Sequence, residues 1–280
     1  MSSEAGETKV CLLTGASGTI GYAIAKALKA SSAPAASWHI IIIGRRPPPQ
    51  SITNVDGKAP EVLPYDTFLK AEMTSESSVA STLTDHFESL RNSHDANLRS
   101  LNRLDLLINC AGCSLGNVPI VDIPADTFRE VMEVNLIVPF IFSKWAMTKM
   151  AACNPPGGRI INIGSIAVES PRLHAVPYTT SKIALGGLTR ALSIEGRSLA
   201  KTTKSSDVGE GVVAVCQINP GNVRSSIMSP EEAARREREE GFVEADDIGK
   251  YVAMVANFPN GTNVLESTVM PTRQPLVGRG

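Results

Sequence analysis

Short continuous apolar runs, each parted from the next by residues at helical spacing, constrain this chain more than any other feature. Residues 10–13, 38–43, 104–108, 159–163 and 212–218 are such runs, and 65–73 and 264–270 read as further strands. Apolar at consecutive rather than alternating positions, they suit strands covered on both faces. Between them lie an Ala-rich helix over 22–30 and a helix carrying Val79, Leu83 and Phe87 behind a cap at Thr74 or Ser75. A helix over 127–152 follows with Asp126 as its cap, then one carrying Ala184, Leu185, Leu188, Ala191, Leu192 and Ile194, and a last one from Asp246 to about residue 257. Strand and helix in regular alternation specify an α/β chain, a doubly wound parallel sheet with helices on both faces in three α/β/α layers.

No break in composition and no internal repeat divides the 280 residues, so a single domain over 1–280 is expected. Residues 1–9 are polar and read as a flexible tail. In the charged run 231–240, Glu231 stands opposite Arg235 and Glu232 opposite Arg236 at i,i+4. That run reads as a short solvated helix, and 226–243 as a lid over a site at the preceding strand end. Prolines 47–49 bar an immediate helix and leave a loop through Pro64, and Pro139 is expected to kink the 127–152 helix. Residues 91–103 and 200–211 are polar surface segments. A net charge of -1 makes no case for nucleic acid or an anionic membrane. No apolar run approaches ~18 residues, so no membrane span is expected. Five cysteines, an odd number, with no secretory pattern over 1–9, fit a reducing, cytoplasmic setting. Cys110 and Cys113 form a C-x-x-C spacing, yet no second pair accompanies it. His86 and His94 read as solvated, so no metal site is expected.

The segment 14–21, Thr-Gly-Ala-Ser-Gly-Thr-Ile-Gly, joins the first strand to the first helix. Glycines there let backbone N–H groups approach a phosphate, and a helix N-terminus favours negative charge. The second strand ends in Gly44-Arg45-Arg46, with no acid. In a nucleotide-binding βαβ unit this strand end meets the adenosine ribose, where an acid suits NAD and an arginine suits the 2′-phosphate of NADP. Small residues in Asn109-Cys110-Ala111-Gly112 admit close passage of a backbone past a ligand. Asn135 stands on an otherwise apolar helix face, as a structural tie or as part of a proton relay, because a buried amide must be hydrogen-bonded. Ser165 falls at the C-terminal end of a strand, where open α/β sheets bind ligands. Tyr178 and Lys182, at i and i+4, share one helix face. A free phenol is a poor acid or base at neutral pH, and an ammonium held close favours the phenolate, so the pair is a candidate acid/base.

Taken in this order, the features resemble those of the short-chain dehydrogenase/reductase family, in its single-domain branch. The resemblance runs from about Val10 to Met270. It covers the glycine turn, Asn-x-Ala-Gly at 109–112, Asn135, Ser165, Tyr-x-x-x-Lys at 178–182 and Pro-Gly-x-Val at 220–223. It implies a Rossmann-type fold and an NADP-dependent oxidoreductase moving a hydride between nicotinamide and a small-molecule carbonyl or secondary alcohol. By the same resemblance Tyr178 is the acid/base and Ser165 holds the substrate oxygen. Lys182 serves Tyr178 and the nicotinamide ribose, and Asn135 positions a water leading to Lys182. The implied cofactor contacts are Gly15, Ser17, Thr19, Ile20, Gly21, Arg45, Glu72, Asn109, Ala111, Gly112, Tyr178, Lys182, Val223 and Ser225. A homodimer or homotetramer, paired through the helices of Asn135 and Tyr178, is implied as well. Three positions depart from the family pattern. Thr19 replaces a glycine and gives a spacing like that of the extended branch, Glu72 replaces an aspartate, and Ser225 replaces a threonine. An extended-type epimerase or dehydratase and a non-catalytic NADP-binding sensor are the alternatives. Arg172 and His174, between Ser165 and Tyr178, read either as groups that meet an anionic substrate or as surface residues, and Cys113, Leu115, Met228 and the 231–240 segment would shape the pocket.

Overall fold

The computed structural model describes residues 7–31, 36–48, 62–114, 116–200, 211–224 and 230–276. Strands β1 (Glu7–Thr14), β2 (Ala36–Gly44), β3 (Thr67–Lys70), β4 (Leu106–Asn109), β5 (Gly158–Ile163), β6 (Val213–Pro220) and β7 (Glu266–Val269) form one parallel sheet, ordered β3-β2-β1-β4-β5-β6-β7. The continuous apolar runs have the predicted cause. Every position of β4, β5 and β6 is buried, because helices cover both faces. Helices α1 (Thr19–Ala30) and α8 (Ala245–Ala256) lie on one side, packing Tyr22, Ile24, Leu28, Ile248 and Val252 against Cys11, Leu13, Ile40 and Ile108. On the other side α2 (Glu76–Arg91), α5 (Val138–Ala151) and α6 (Val176–Ala200) pack Leu83, Phe87, Phe142, Met150 and Leu192 against Leu12, Ile41, Leu107 and Val215. The chain runs outward one way from β1 and the other way from β4, so a crevice opens at their C-terminal ends.

Several boundaries differ from expectation. Residues 7–9 are not tail but strand, since Glu7, Thr8 and Lys9 pair with Ala36, Ser37 and Trp38 along β2. The third strand is shorter than 65–73: the Asp66 N–H donates to the Ile40 carbonyl at 2.9 Å while its carboxylate, in place of its backbone, accepts the Ile40 N–H at 2.7 Å, and the regular strand runs only over Thr67–Lys70. Residues 91–103 include a separate short helix, α3 (Ala96–Ser100), capped by Asp95. Ser75, not Thr74, caps α2.

The helix expected over 127–152 begins earlier, as α4 (Ala125–Met132), and Asp126 does not cap it. Its carboxylate lies in the first turn and binds Arg129 at 2.6 Å. The break falls before Pro139, in a widened π-type turn over Glu133–Ile137 that leads into α5. A regular helix would need a Pro139 N–H to meet the Asn135 carbonyl, and proline has none. From Ala125 to Ala151 the joined helix is long and apolar enough by composition to cross a membrane, contrary to the estimate from run lengths. In this fold 50% of its most apolar window is buried within the protein. His86 is not fully solvated either. Its ring lies edge-on to Phe87 with centroids 5.3 Å apart, and burial pushes its pKa down.

Arg159, at the start of β5, is the largest fully buried side chain. Its guanidinium donates to the carbonyls of Phe258, Pro259 and Thr262 at 3.2, 3.0 and 2.8 Å and so closes the loop after α8. On the α1 side, Gly249 permits the closest helix contact, since a Cβ there would lie 2.4 Å from the Ala23 carbonyl oxygen. Gly249→Ala should therefore force α1 and α8 apart and lower stability by about 1–3 kcal/mol. A denaturant midpoint equal to or above that of the parent would show that the contact does not hold the two helices at this distance.

Candidate active site

The crevice is set by backbone groups tied across it. The Thr14 hydroxyl accepts the N–H groups of Cys110 and Ala111 at 3.1 and 3.2 Å and donates to the Ile108 carbonyl at 3.4 Å. This brings the turn after β1 against the segment after β4. Gly15 adopts φ +69°, and a Cβ on it would lie 2.5 Å from the Ala111 nitrogen. Only glycine meets both demands. A Cβ at Gly21 would come 2.2 Å from the Gly15 carbonyl oxygen. Gly18 precedes α1 as its N-cap without a capping side chain, and the first turn carries no acid. The leading N–H groups of α1, at Thr19, Ile20 and Gly21, therefore present positive potential to the crevice.

Register places the other expected cofactor contacts. Thr14 pairs with Ile43, so Gly44 stands beside Gly15 and the exposed Arg45 and Arg46 follow at once. Among the described residues neither arginine has an ion-pair partner. The Ala71 N–H donates to the Gly44 carbonyl at 3.1 Å, which brings the exposed Glu72 to the same edge. Asn109 ends β4. Its amide turns into the core and donates to Asn162 at 2.8 Å and Ser143 at 3.2 Å, leaving only its backbone to meet a ligand. Val223 is buried through a parallel bridge to Val243. Ser225, Leu115 and Met228 lie outside the described residues.

Asn135, in the π-type turn, is fully buried. Its amide oxygen accepts the Cys113 N–H at 2.9 Å, and its amide nitrogen donates to the Cys113 carbonyl at 2.8 Å and to the Ser181 hydroxyl at 2.9 Å. Ser181 in turn donates to the Tyr178 carbonyl at 2.7 Å. Lys182 is 5% exposed, and its ammonium donates to the Ile163 carbonyl at 2.8 Å. It stands 5.8 Å from the centroid of the partly exposed Tyr178 ring. Gly112 leaves room beside it, since a Cβ there would lie 3.6 Å from Lys182 Nζ and 3.2 Å from Asn135 Oδ1. Ser165 ends the loop after β5. Its N–H donates to Asn219 Oδ1 at 3.2 Å, and its hydroxyl accepts the Ala167 N–H at 3.1 Å. That arrangement leaves the hydroxyl proton free to donate. Asn135, Tyr178 and Lys182 are thus joined at the start of α6, and Ser165 follows by two residues the Ile163 carbonyl that Lys182 binds.

A chain of polar side chains beneath these groups went unnoticed in the sequence. Asn109 donates to Asn162, Asn162 to Thr189 at 2.8 Å, and Gln217 to Asn219 at 2.8 Å. Thr189 lies 3.3 Å from the Gln217 amide oxygen, and Asn219 donates to Glu266 at 3.0 Å. The signal was available: Asn162, Gln217 and Asn219 are polar residues inside strands covered on both faces, and such residues must bond to one another. A Cβ on Gly164 would lie 2.0 Å from Asn219 Oδ1, so glycine is what admits that amide to the Ser165 backbone.

A second network joins the charged helix α7 (Pro230–Glu239) to the site. Arg172 pairs with Glu240 at 2.8 Å and donates to Asn222 at 2.9 Å, and Asn222 donates to Glu240 at 2.7 Å. Arg236 binds Glu232 at 2.6 Å, as its spacing predicts, while Arg235 bridges Glu232 and Glu239. Helix α7 is therefore tied to the loop after β6 on one side rather than solvated all round. His174 takes φ 65° and offers its carbonyl to the Val118 N–H at 3.0 Å. Burial pushes the Cys110 thiol up to about 12 and raises that of Cys113, so both are held as thiols at neutral pH. Among the described residues no cluster of His, Cys, Asp and Glu is placed to hold a metal ion.

Comparison with known proteins agrees with this geometry. The short chain dehydrogenase family matches residues 9–236. The uncharacterized oxidoreductase YohF of Escherichia coli strain K12 is 38% identical over 35% of this chain and 38% of its own length. The short chain dehydrogenase/reductase dpchG of Colletotrichum higginsianum is 31% identical over 65% of this chain and 62% of its own length. The matched region thus spans less than two thirds of either relative. In fold, the chain superposes on the 3-ketoacyl-(acyl-carrier-protein) reductase from Brucella melitensis, solved in complex with NADH. The TM-score is 0.72 at 18% identity, covering 95% of this chain and 98% of that one. With the family matched across most of its length, the chain belongs to the short-chain dehydrogenases, a family of oxidoreductases.

Proposed function

We propose that the protein is an NADP-dependent oxidoreductase acting on a carbonyl or secondary-alcohol substrate, with Tyr178 as its acid/base. The observation that carries this is a buried lysine beside a partly exposed tyrosine: Lys182 Nζ, fixed on the Ile163 carbonyl, lies 5.8 Å from the Tyr178 ring centroid. The crevice fits a dinucleotide. Gly15 and Gly21 keep a close-packed turn where any Cβ would collide, and α1 begins there with no capping side chain. The pyrophosphate would be held by the backbone of 15–21, the adenosine ribose near Arg45 and Glu72, and the nicotinamide end near Gly112, Lys182 and Val223. When bound, the nicotinamide supplies or accepts the hydride.

The remaining work falls to side chains. Ser165, with its oxygen already bonded to the Ala167 N–H, donates its proton to the substrate oxygen and fixes its position. Tyr178 gives a proton to that oxygen on reduction and takes one on oxidation. The Lys182 ammonium stabilises the phenolate that results. Asn135 holds the segment after β4 in place through its amide. Its carbonyl lacks the donor that Pro139 cannot provide, and so can hold a water on the path to Lys182. Pairing of two chains through the helices of Asn135 and Tyr178 is supported by apolar side chains left open there. Ile137, Phe140, Ile183 and Ile194 are 38%, 41%, 51% and 60% exposed.

Tyr178→Phe should fold and bind cofactor while turnover falls at least ~10²-fold, the scale of a lost positioned acid/base. Steady-state rates near those of the parent would remove Tyr178 from the mechanism. For the cofactor, Arg45 follows the β2 end that register sets beside the glycine turn, and an unpaired guanidinium can bind the 2′-phosphate with two bonds. A charge-assisted contact of roughly 1.5–3 kcal/mol corresponds to about 10- to 100-fold in affinity. Titration should therefore show NADP preferred by that factor, and Arg45→Asp should lose most of the preference while binding NAD no worse. Equal affinity of the parent for both cofactors would refute the assignment, and loss only in Arg46→Asp would move it by one residue.

A further inference from the structure

Exposed aliphatic side chains stand on two segments that lead into the cleft. The bond from the Val118 N–H to the His174 carbonyl ties the segment before α4 to the turn that leads into α6. On these two tied segments Ile120 is 66%, Val121 87%, Leu173 78% and Val176 37% exposed, and Val176 stands just ahead of Tyr178. Single open aliphatic residues are ordinary on a protein surface, but a group bordering a reactive site is not.

The charges here are arranged against an anion. Arg172 is the arginine nearest Tyr178 in sequence, and its guanidinium is occupied by the buried Glu240 at 2.8 Å and by Asn222 at 2.9 Å. Arg224, after the Pro220 loop, is ion-paired with Glu237 and lies over the Phe242 ring, 4.7 Å from its centroid. On the described stretches 116–122 and 165–176 the exposed charges are carboxylates, Asp122 and Glu169, the latter accepting the Thr268 hydroxyl at 3.3 Å, and His174 is a further ionisable side chain there, half-buried. An anionic substrate would meet two like charges and arginines already bound elsewhere.

We propose that the substrate is an uncharged ketone or secondary alcohol with an extended apolar body, which lies against Ile120, Val121, Leu173 and Val176 while its oxygen reaches Ser165 and Tyr178. This rests on the hydride-transfer chemistry proposed above. Arg172 is then a positioning residue: it fixes Glu240 and the loop after β6 and does not read a substrate carboxylate.

The test is a series of methyl ketones of rising chain length, and keto acids of matching length, each reduced by the full chain with NADPH. The expected kcat/KM rises roughly two- to fourfold per added methylene, and each keto acid is at least ~10-fold poorer than its uncharged counterpart, as for an unpaired carboxylate brought against apolar surface. In Leu173→Ser and Val121→Ser the gain per methylene should shrink. A preference for keto acids that disappears in Arg172→Met would overturn the proposal. So would a flat series in which Leu173→Ser instead dissociates a dimer in sedimentation, which would assign the patch to a second copy of the chain. Titration calorimetry with NADP present separates this inference from the chemistry it rests on. Binding that strengthens with chain length but without turnover supports the apolar seat and removes hydride transfer. No binding by any uncharged ketone overturns the seat, whatever the keto acids do.

Discussion

One buried amide joins the parts of the cleft. Asn135 bonds both the N–H and the carbonyl of Cys113 and, through Ser181, the backbone of Tyr178. Its partners belong to separate pieces of chain: the segment after β4, which borders the glycine turn, and the first turn of α6. Inside a protein such an amide must be satisfied, and a fully satisfied one fixes its neighbours strongly. The π-type turn that presents it arises where Pro139 interrupts the helical ladder, so a proline outside the site determines how an amide inside it is aimed.

Around that joint the molecule divides its polar groups by task. Those under the sheet's C-terminal edge are neutral amides and hydroxyls, from Asn109 through Asn162 and Thr189 to Gln217 and Asn219, which bonds the Ser165 N–H on one side and the Glu266 carboxylate on the other. Neutral groups position a backbone in the core without the desolvation penalty of an ion. A charged cluster of Arg172, Glu240 and Asn222, itself largely buried, binds the α7 side to the loop after β6. Two cations are held in the interior, Arg159 on the carbonyls of the loop after α8 and Lys182 on the Ile163 carbonyl beside Tyr178.

Residues whose role depends on local spacing could be read from the sequence. Tyr178 and Lys182 share a helix face because they are one turn apart, and Gly15 stands where a strand must turn into a helix. The alternation of buried runs with helices likewise specified a doubly wound parallel sheet. What stayed hidden depends on partners distant in the chain. The Thr14 hydroxyl meets N–H groups about a third of the chain away, and nothing near Thr14 announces them. Nothing in the small, permissive segment around Asn109 shows that its side chain answers to Asn162 and Ser143. Asp126 had the chemistry of a helix cap. The helix begins two residues earlier, at Ala125 behind Pro124, and the carboxylate, now inside the first turn, binds Arg129.

The central claim is that this cleft carries a hydride between nicotinamide and a carbonyl carbon, with the proton handled by Tyr178. It is tested most directly by following the label from NADPH deuterated at the transferable C4 position into the product of a ketone that the protein reduces. Mass spectrometry should find one deuterium on the carbinol carbon of the alcohol, none lost to water, and an oxygen-bound hydrogen that exchanges freely with solvent. Alcohol formed without carbon-bound deuterium, or deuterium released to solvent during turnover, would contradict the account.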